Sequence, residues 1–390
     1  MRQVVIAGAV RTPMGGFQGV FQDVTAASLG GVALKAALQD ARCTAVDEVI
    51  MGCVLGAGQG QAPARQAGFA AGLNKDVPAT TLNKMCGSGM KAAMIAHDQI
   101  ALGQSDLIAA GGMESMSNAP YLLPKMRGGA RIGHGQVIDH MFLDGLEDAY
   151  EKGRLMGSFA EDCAQKFQLT REAQDGYALE SLSKALLAQD SGAFANEITP
   201  VTVPTRGGDL VLDIDEQPGT ARPEKIPYLK PAFRDGGTVT PANASSISDG
   251  AAALVLAGAD HAHAAGLNIR ARILGHSSHA QAPEWFSTAP IPAVQKLLAR
   301  IGWDASDVDL WEVNEAFAVV PMVFMHEFGL SRDCVNVNGG ACALGHPIGA
   351  SGARILVTLL NALETRGLKR GVAAICIGGG EGTAMAIERV

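Results

Sequence analysis

The chain has 390 residues, of which 47% are hydrophobic and 18% charged, and its formal net charge at pH 7 is −8. This length exceeds what one compact core supports, so we predict two or three folded units. The acidic balance and the absence of Lys/Arg clusters argue against a nucleic-acid-binding protein. No hydrophobic stretch approaches the roughly 18 residues of a membrane span, so we expect no membrane partner.

The first hydrophobic run, Val4–Val10, is typical of a buried strand rather than of a signal peptide. The seven cysteines contain no C-x-x-C pair, which favours reduced thiols and a cytoplasmic location. We expect no metal site. His261 and His263 do not share a helix face, and His276 and His279 have no nearby Cys or carboxylate cluster.

Strand-like and helix-like segments alternate along the first part of the chain. Residues 49–51 and 107–110 are typical of buried strands, whereas residues 25–42 and 89–102 have hydrophobic side chains at helical spacing. This alternation predicts an α/β fold with parallel sheets covered by helices.

The segment 118–247 differs from its surroundings, since it is rich in Gly, Pro and charge. Insertions of this length are usually functional, and hydrophobic spacing near Phe159 to Ala188 predicts a helix in it. We therefore interpret it as a subdomain rather than as a linker.

The C-terminal part repeats the N-terminal one. An offset of 260 residues pairs Leu38 with Leu298 and Gly89 with Gly349, and it keeps helix on helix and strand on strand. We predict two copies of one α/β unit, although chance similarity between two α/β halves is the alternative. The predicted domains are residues 1–117 plus 248–268, residues 118–247, and residues 269–390.

The offset also places Cys86 opposite His346, each in a turn before a helix. A thiol at a helix N-terminus meets unpaired N–H groups that stabilise its thiolate, and a His–Cys pair activates a thiolate nucleophile. Taken alone, the segment around Cys86 is more typical of a tight turn with a buried thiol.

Two further segments carry polar or reactive groups. Asn314, in the run Glu312 to Ala318, offers an amide that can polarise a carbonyl, although by itself it is more typical of a helix cap. Cys376 and Gly378 lie in a glycine-rich turn after a strand. No long helix follows that turn, which excludes a dinucleotide loop and favours an oxyanion site.

Together these four segments resemble the four signature blocks of the thiolase family, and the resemblance covers essentially the whole chain. It implies a fold of duplicated α/β halves, layered α-β-α-β-α, with an inserted loop domain. It also implies acyltransferase activity through an acyl-thioester intermediate.

The resemblance further implies a role for each site residue. Cys86 would carry the acyl group, His346 would activate it, and Cys376 would move the α-proton of the second acyl-CoA. Asn314 would hold a water in one oxyanion hole with His346, and the N–H groups of Cys86 and Gly378 would form the other.

The same resemblance implies contacts to coenzyme A from the inserted segment and from the Asn314 block, namely Met156, Phe233, Ser245, Ala316 and Phe317. Leu155 is a departure, because acetoacetyl-CoA-forming members have a histidine before the Met-Gly pair. Arg222 is a candidate for the nucleotide phosphates, as are Lys225 and Lys230.

The implied reaction is acetyl-CoA C-acetyltransfer, in which two acetyl-CoA molecules give acetoacetyl-CoA and CoA by a ping-pong mechanism. No cofactor is expected, since CoA thioesters are substrates. Degradative cleavage of longer 3-ketoacyl-CoA is one alternative, and a non-catalytic thiolase-like carrier of acyl-CoA or lipid is another. The resemblance also implies a homotetramer built from tight dimers, with residues 119–145 at the tetramer contact.

Overall fold

The computed structural model describes residues 1–390. The strands are β1 Val4–Arg11, β2 Gly15–Gly16, β3 Glu48–Gly52, β4 Ala79–Leu82, β5 Leu107–Ser115, β6 Tyr121–Leu122, β7 Ile138–Asp139, β8 Val201–Thr205, β9 Gly208–Leu212, β10 Ser248–Gly258, β11 Ala271–Ala280, β12 Leu310–Val313, β13 Arg370–Ile377 and β14 Glu381–Arg389. The helices are α1 Ala26–Ala41, α2 Pro63–Ala70, α3 Ser88–Ala101, α4 Met156–Lys166, α5 Arg171–Asp190, α6 Glu216–Thr220, α7 Ala259–Ala264, α8 Pro290–Ile301, α9 Val319–Phe328, α10 Ala341–Leu344 and α11 Ser351–Thr365. None of these helices combines the length and hydrophobicity that crossing a membrane requires.

The main sheet shows the predicted duplication. Its strand order is β12-β13-β14-β11-β1-β10-β5-β3-β4, with β2 paired to β10. Read toward the middle of the sheet, the strands β3-β5-β10-β1 of one half and β12-β13-β14-β11 of the other follow the same pattern of parallel and antiparallel neighbours. The two halves join through only two residue pairs between β1 and β11, Val5 with Arg272 and Ile6 with Ala271.

The sheet is mixed, so the expectation of parallel sheets holds only for part of each half. Strands β3, β4 and β5 are parallel, as are β12 and β13. Strand β14 is antiparallel to β13, because only the short turn at residues 378–380 connects them. A connection that short cannot carry the crossover that a parallel pair requires.

Helices separate the two halves and cover both outer faces. Helices α1 and α2 pack on the outer face of the N-terminal strands, and α8 packs on the outer face of the C-terminal strands. Helices α3 and α11 lie between the halves, where their buried side chains form the central core. The result is the expected α-β-α-β-α layering.

Two glycines permit α3 and α11 to cross closely. A Cβ at Gly89 would lie 2.7 Å from the Ala353 nitrogen, and a Cβ at Gly352 would lie 2.5 Å from the Met90 nitrogen. These contacts are closer than real Cβ atoms make. The crossing therefore brings the beginnings of both helices, and the turns that precede them, to one place.

The inserted segment contains two helices where the sequence predicted one. Helix α4 ends at Lys166 and α5 begins at Arg171. Between them Gln168 adopts a φ of 53°, and the Thr170 hydroxyl caps α5 by accepting from the Ala173 N–H at 3.2 Å. The hydrophobic spacing continues across the break, which is why periodicity alone did not reveal it. The domain boundaries given above stay predictions.

Candidate active site

Cys86 lies in a strained turn between β4 and α3. The Gly87 N–H donates to the Lys84 carbonyl at 3.1 Å and the Ser88 N–H to the Met85 carbonyl at 2.9 Å. Met85 itself has a φ of 47°, a conformation that non-glycine residues rarely adopt and that is often found at functional sites. The turn holds Cys86 half-buried at the N-terminal end of α3.

The Cys86 thiol is harder to ionise than the sequence suggested. Burial raises its pKa to about 11, and the Glu114 carboxylate adds to the rise, while the backbone N–H groups of Gly378 and of Cys86 itself oppose it. The N–H groups lower the pKa, as the position at a helix N-terminus predicts, but in the free protein the loss of hydration outweighs them. With a pKa of about 11, Cys86 is a neutral thiol at pH 7.

His346 has the properties of a base for this thiol. It is buried, and burial together with the charge of Arg354 lowers its pKa to about 3, so its imidazole is neutral. Ser351 Oγ donates to the Pro347 carbonyl at 3.0 Å, so His346 Nδ1, 2.5 Å from that oxygen, is the donor to Ser351. This arrangement leaves the lone pair on Nε2, which has no hydrogen-bond partner in the protein. Ser351 was not among the site residues predicted from the sequence.

Asn314 follows β12 and is completely buried. It does not cap α9, which begins five residues later without a side-chain cap. Its Oδ1 accepts from the Arg354 guanidinium at 3.5 Å, whereas its Nδ2 has no partner in the protein. A buried amide N–H₂ without a partner is costly unless a ligand or water accepts from it.

Cys376 lies near the end of β13, and Gly378 directly follows the strand. Cys376 is fully buried, and burial, followed by the charge of Cys86, raises its pKa well above the usual value. The following turn has φ values of 90° at Gly379 and 85° at Gly380. Only glycine adopts such values easily, so the glycine run is what allows β13 to turn directly into β14.

A cavity of about 450 Å³ connects these groups, and 14 of its 22 lining residues are hydrophobic. Cys86, His346 and Gly378 line it. Asn314 and Cys376 do not, and they lie buried behind the lining. The offset of 260 residues thus correctly placed Cys86 and His346 at one site.

Most residues expected to contact coenzyme A line the same cavity. They are Leu155, Met156, Phe233, Ser245, Ala316 and Phe317. Arg222 is not among the lining residues and is exposed at the beginning of a 3-10 helix. Phe233, Phe317 and Phe286 pack edge to face, with centroid distances of 6.0 Å and 6.2 Å.

Several lining residues were not predicted from the sequence. These are Phe17, Phe142, Leu146, Gln217, Ile247, Phe286 and Ile348. Most of them lie far along the chain from the predicted site residues, and for all except the polar Gln217 hydrophobicity was the only signal.

Glu315, next to Asn314, anchors the inserted segment to the site. This fully buried carboxylate accepts from Tyr177 Oη at 2.8 Å, Ser181 Oγ at 2.7 Å, Asn336 Nδ2 at 2.8 Å and the Cys342 N–H at 3.1 Å. Four donors satisfy the charge that burial would otherwise penalise. The network ties α5 to the loops that carry Asn314 and His346.

Comparison with known proteins identifies the family. The family model for the thiolase N-terminal domain matches residues 4–260, and the model for the thiolase C-terminal domain matches residues 267–389. The chain belongs to the thiolase family. The predictions of this family, of its layered α/β fold and of an acyltransferase enzyme are thereby confirmed.

This thiolase has similar relatives over its full length. Acetyl-CoA acetyltransferase 2 of Arabidopsis thaliana is 50% identical, in an alignment covering 99% of this chain and 97% of the relative. The crystal structure of the Bacillus anthracis acetyl-CoA acetyltransferase has a TM-score of 0.97 at 42% identity, covering 100% and 99% of the two chains. A thiolase from Ascaris suum in complex with coenzyme A has a TM-score of 0.94 at 42% identity, with both chains fully covered.

Proposed function

We propose that this thiolase is an acetyl-CoA C-acetyltransferase, which condenses two acetyl-CoA molecules to acetoacetyl-CoA and CoA and catalyses the reverse thiolysis. The observation that carries the proposal is the cavity in which Cys86, His346 and Gly378 meet. It is supported by relatives that bear this name and match along the whole chain.

In the first half-reaction, His346 Nε2 takes the proton of the Cys86 thiol and the sulfur attacks the thioester carbonyl. Negative charge then develops on the carbonyl oxygen, where the N–H groups of Cys86 and Gly378 stabilise it. The carbon–sulfur bond to CoA breaks, and the Cys376 thiol passes its proton to the departing CoA thiolate, which leaves Cys376 as a thiolate while His346 keeps the proton that it took from Cys86. Cys86 is left as the acetyl thioester.

In the second half-reaction, the Cys376 thiolate removes an α-proton from a second acetyl-CoA. Burial makes this thiolate a strong base. The enolate oxygen is stabilised by His346 and by a water that Asn314 Nδ2 holds. The α-carbon attacks the acetyl group on Cys86, the bond between that carbonyl and the Cys86 sulfur breaks, acetoacetyl-CoA forms, and His346 returns its proton to the Cys86 thiolate.

The substrate is a CoA thioester, and we propose no other cofactor. The hydrophobic wall that includes Met156, Phe233 and Phe317 suits the pantetheine arm. Arg222, together with Lys225 and Lys230, is proposed to meet the nucleotide phosphates from the exposed surface of the inserted segment.

Cleavage of longer 3-ketoacyl-CoA is a second candidate, and one observation favours it. Leu155 lines the cavity, so a hydrophobic side chain borders the space where a histidine would offer a hydrogen bond. Each additional buried CH₂ group contributes about 0.8 kcal/mol, or roughly fourfold in binding.

Acylation tests the main proposal directly. After incubation with acetyl-CoA, mass spectrometry of the peptides is expected to find one acetyl group on Cys86. Cys376→Ala is expected to keep this label but to lose condensation and thiolysis. Cys342→Ala, which removes another partly buried thiol, is the control and should keep turnover. Acetyl on Cys376, or no acetyl at all, would contradict the proposal.

Chain length separates the two candidates. We expect kcat/KM for thiolysis to be highest for acetoacetyl-CoA among 3-ketoacyl-CoA substrates of four, six and eight carbons. A tenfold or greater preference for eight carbons would replace the acetyltransferase proposal with the degradative one.

A further inference from the structure

Outside the active-site cavity, the structure brings together two histidines and an aspartate. His97 and Asp98 lie on α3, and His276 lies on β11 of the other half. His276 Nε2 is 2.8 Å and His97 Nδ1 is 3.0 Å from Asp98 Oδ1. The two imidazole rings are 5.0 Å apart and perpendicular. One ligand atom from each residue lies within 4.8 Å of the others.

This arrangement corrects an expectation from the sequence. His276 has no carboxylate near it along the chain, which argued against a metal site. The structure supplies one, because Asp98 is 178 residues away in sequence. The packing of α3 against the strands of the C-terminal half creates the cluster.

We propose that His97, Asp98 and His276 bind a zinc ion. Two imidazoles and one carboxylate are a common zinc ligand set, and water completes the tetrahedron. In such a tetrahedron the ligand atoms lie about 3.3 Å apart, given bonds of about 2 Å. The present ligand atoms lie within 4.8 Å of one another, so binding would require the side chains to rotate to that spacing.

The surroundings allow an ion to enter. The Asp98 side chain is 53% exposed, whereas those of His97 and His276 are 17% and 13% exposed. Both histidines are therefore held by packing while one side of the cluster is open to solvent.

One nearby charge opposes the ion. Lys91, on the same helix, lies close enough to lower the pKa of His276 electrostatically. Its ammonium group repels a cation at the cluster, so removal of this charge should tighten binding. The bound ion would join α3, the helix that follows Cys86, to β11 of the other half.

Zinc titration of the full-length protein tests the site. The protein is first treated with a chelator, and every sample carries Cys86→Ala so that the active-site thiol does not bind the metal. We expect isothermal titration calorimetry to show one zinc site in the parent. The zinc affinity of Asp98→Asn and of His276→Ala is expected to be at least tenfold weaker than that of the parent. Lys91→Gln is expected to bind more tightly than the parent.

His279→Ala is the matched control, since His279 lies on the same strand and contacts Lys296 instead of the cluster. It is expected to bind zinc as the parent does. Zinc should also raise the melting temperature of the parent but not that of Asp98→Asn, which retains the size of the side chain. Equal zinc affinity in the parent, Asp98→Asn and His276→Ala would overturn the proposal, as would the absence of a stoichiometric site.

Discussion

Cys86 and His346 meet as two neutral groups. Burial raises the pKa of the thiol and lowers that of the imidazole, so both shifts disfavour a resting thiolate–imidazolium pair. In the proposed mechanism, charge therefore arises only when a substrate is present. The N–H groups of Cys86 and Gly378 are then proposed to face an oxyanion rather than a preformed thiolate.

At the same scale, we expect Ser351 to hold the imidazole of His346, the proposed base, in one orientation. We expect Ser351→Ala to lower the rate of Cys86 acetylation about tenfold, because loss of a hydrogen bond worth about 1–1.5 kcal/mol frees the imidazole to change tautomer. Single-turnover acetylation measures this rate. Ser277→Ala removes another buried hydroxyl, one bonded to the Ala293 carbonyl, and is the control. Equal rates in the two variants would remove the positioning role from Ser351.

At the scale of elements, Glu114 fastens the end of β5 to two loops. Its carboxylate accepts from the N–H groups of Val54 at 2.9 Å, Leu55 at 3.1 Å and Gly349 at 2.9 Å. It therefore connects the loop after β3 with the segment between His346 and α11. Burial nevertheless dominates and raises the pKa of Glu114 from 4.5 to about 7.

This shift predicts a pH-dependent effect of Glu114→Gln. Between pH 4.5 and about 7 the unfolded chain loses this proton while the folded protein keeps it. The wild type therefore loses about 1.4 kcal/mol of stability per pH unit through this group as pH rises. Glutamine does not titrate, so the difference in melting temperature, wild type minus variant, should decrease from pH 5 to pH 8. Glu327→Gln, at an exposed position on α9, is the control, and an equal decrease there would contradict the assignment.

At the scale of the whole molecule, residues 119–145 expose an unusual number of large hydrophobic side chains. They are Tyr121, Leu123, Met126, Ile132, Val137, Phe142 and Leu143. Ile132 is 96% exposed in the single chain. A concentration of exposed hydrophobic side chains is typical of an interaction surface, which agrees with the expectation from the family resemblance that this segment forms a tetramer contact.

We expect Leu123→Asp to convert tetramers to dimers, since a buried unpaired carboxylate at the contact is costly. Analytical ultracentrifugation measures the change. Leu187→Asp alters a side chain that is 68% exposed on α5, outside this segment, and should leave the assembly unchanged. Tetramers that persist in Leu123→Asp would place the contact elsewhere.

From the sequence alone follow the family and the repeat, together with a prediction of the main site residues. Cys86, His346, Asn314 and Cys376 each lie in a local block whose neighbours mark a turn or a strand end. The repeat also indicates which of these residues lie close together in space, because two halves related by one offset place corresponding turns opposite each other. Local signals and internal symmetry are both readable without coordinates.

The surroundings of those residues are seen only in the tertiary structure. The raised pKa of Cys86, the partner of His346 Nδ1, the position of Leu155 and the meeting of His276 with Asp98 depend on side chains from distant segments. Loss of hydration and hydrogen bonding act over a few ångströms in space, whatever the separation along the chain. The sequence therefore predicts which groups react, and packing of the two halves and the inserted segment determines the electrostatics of those groups.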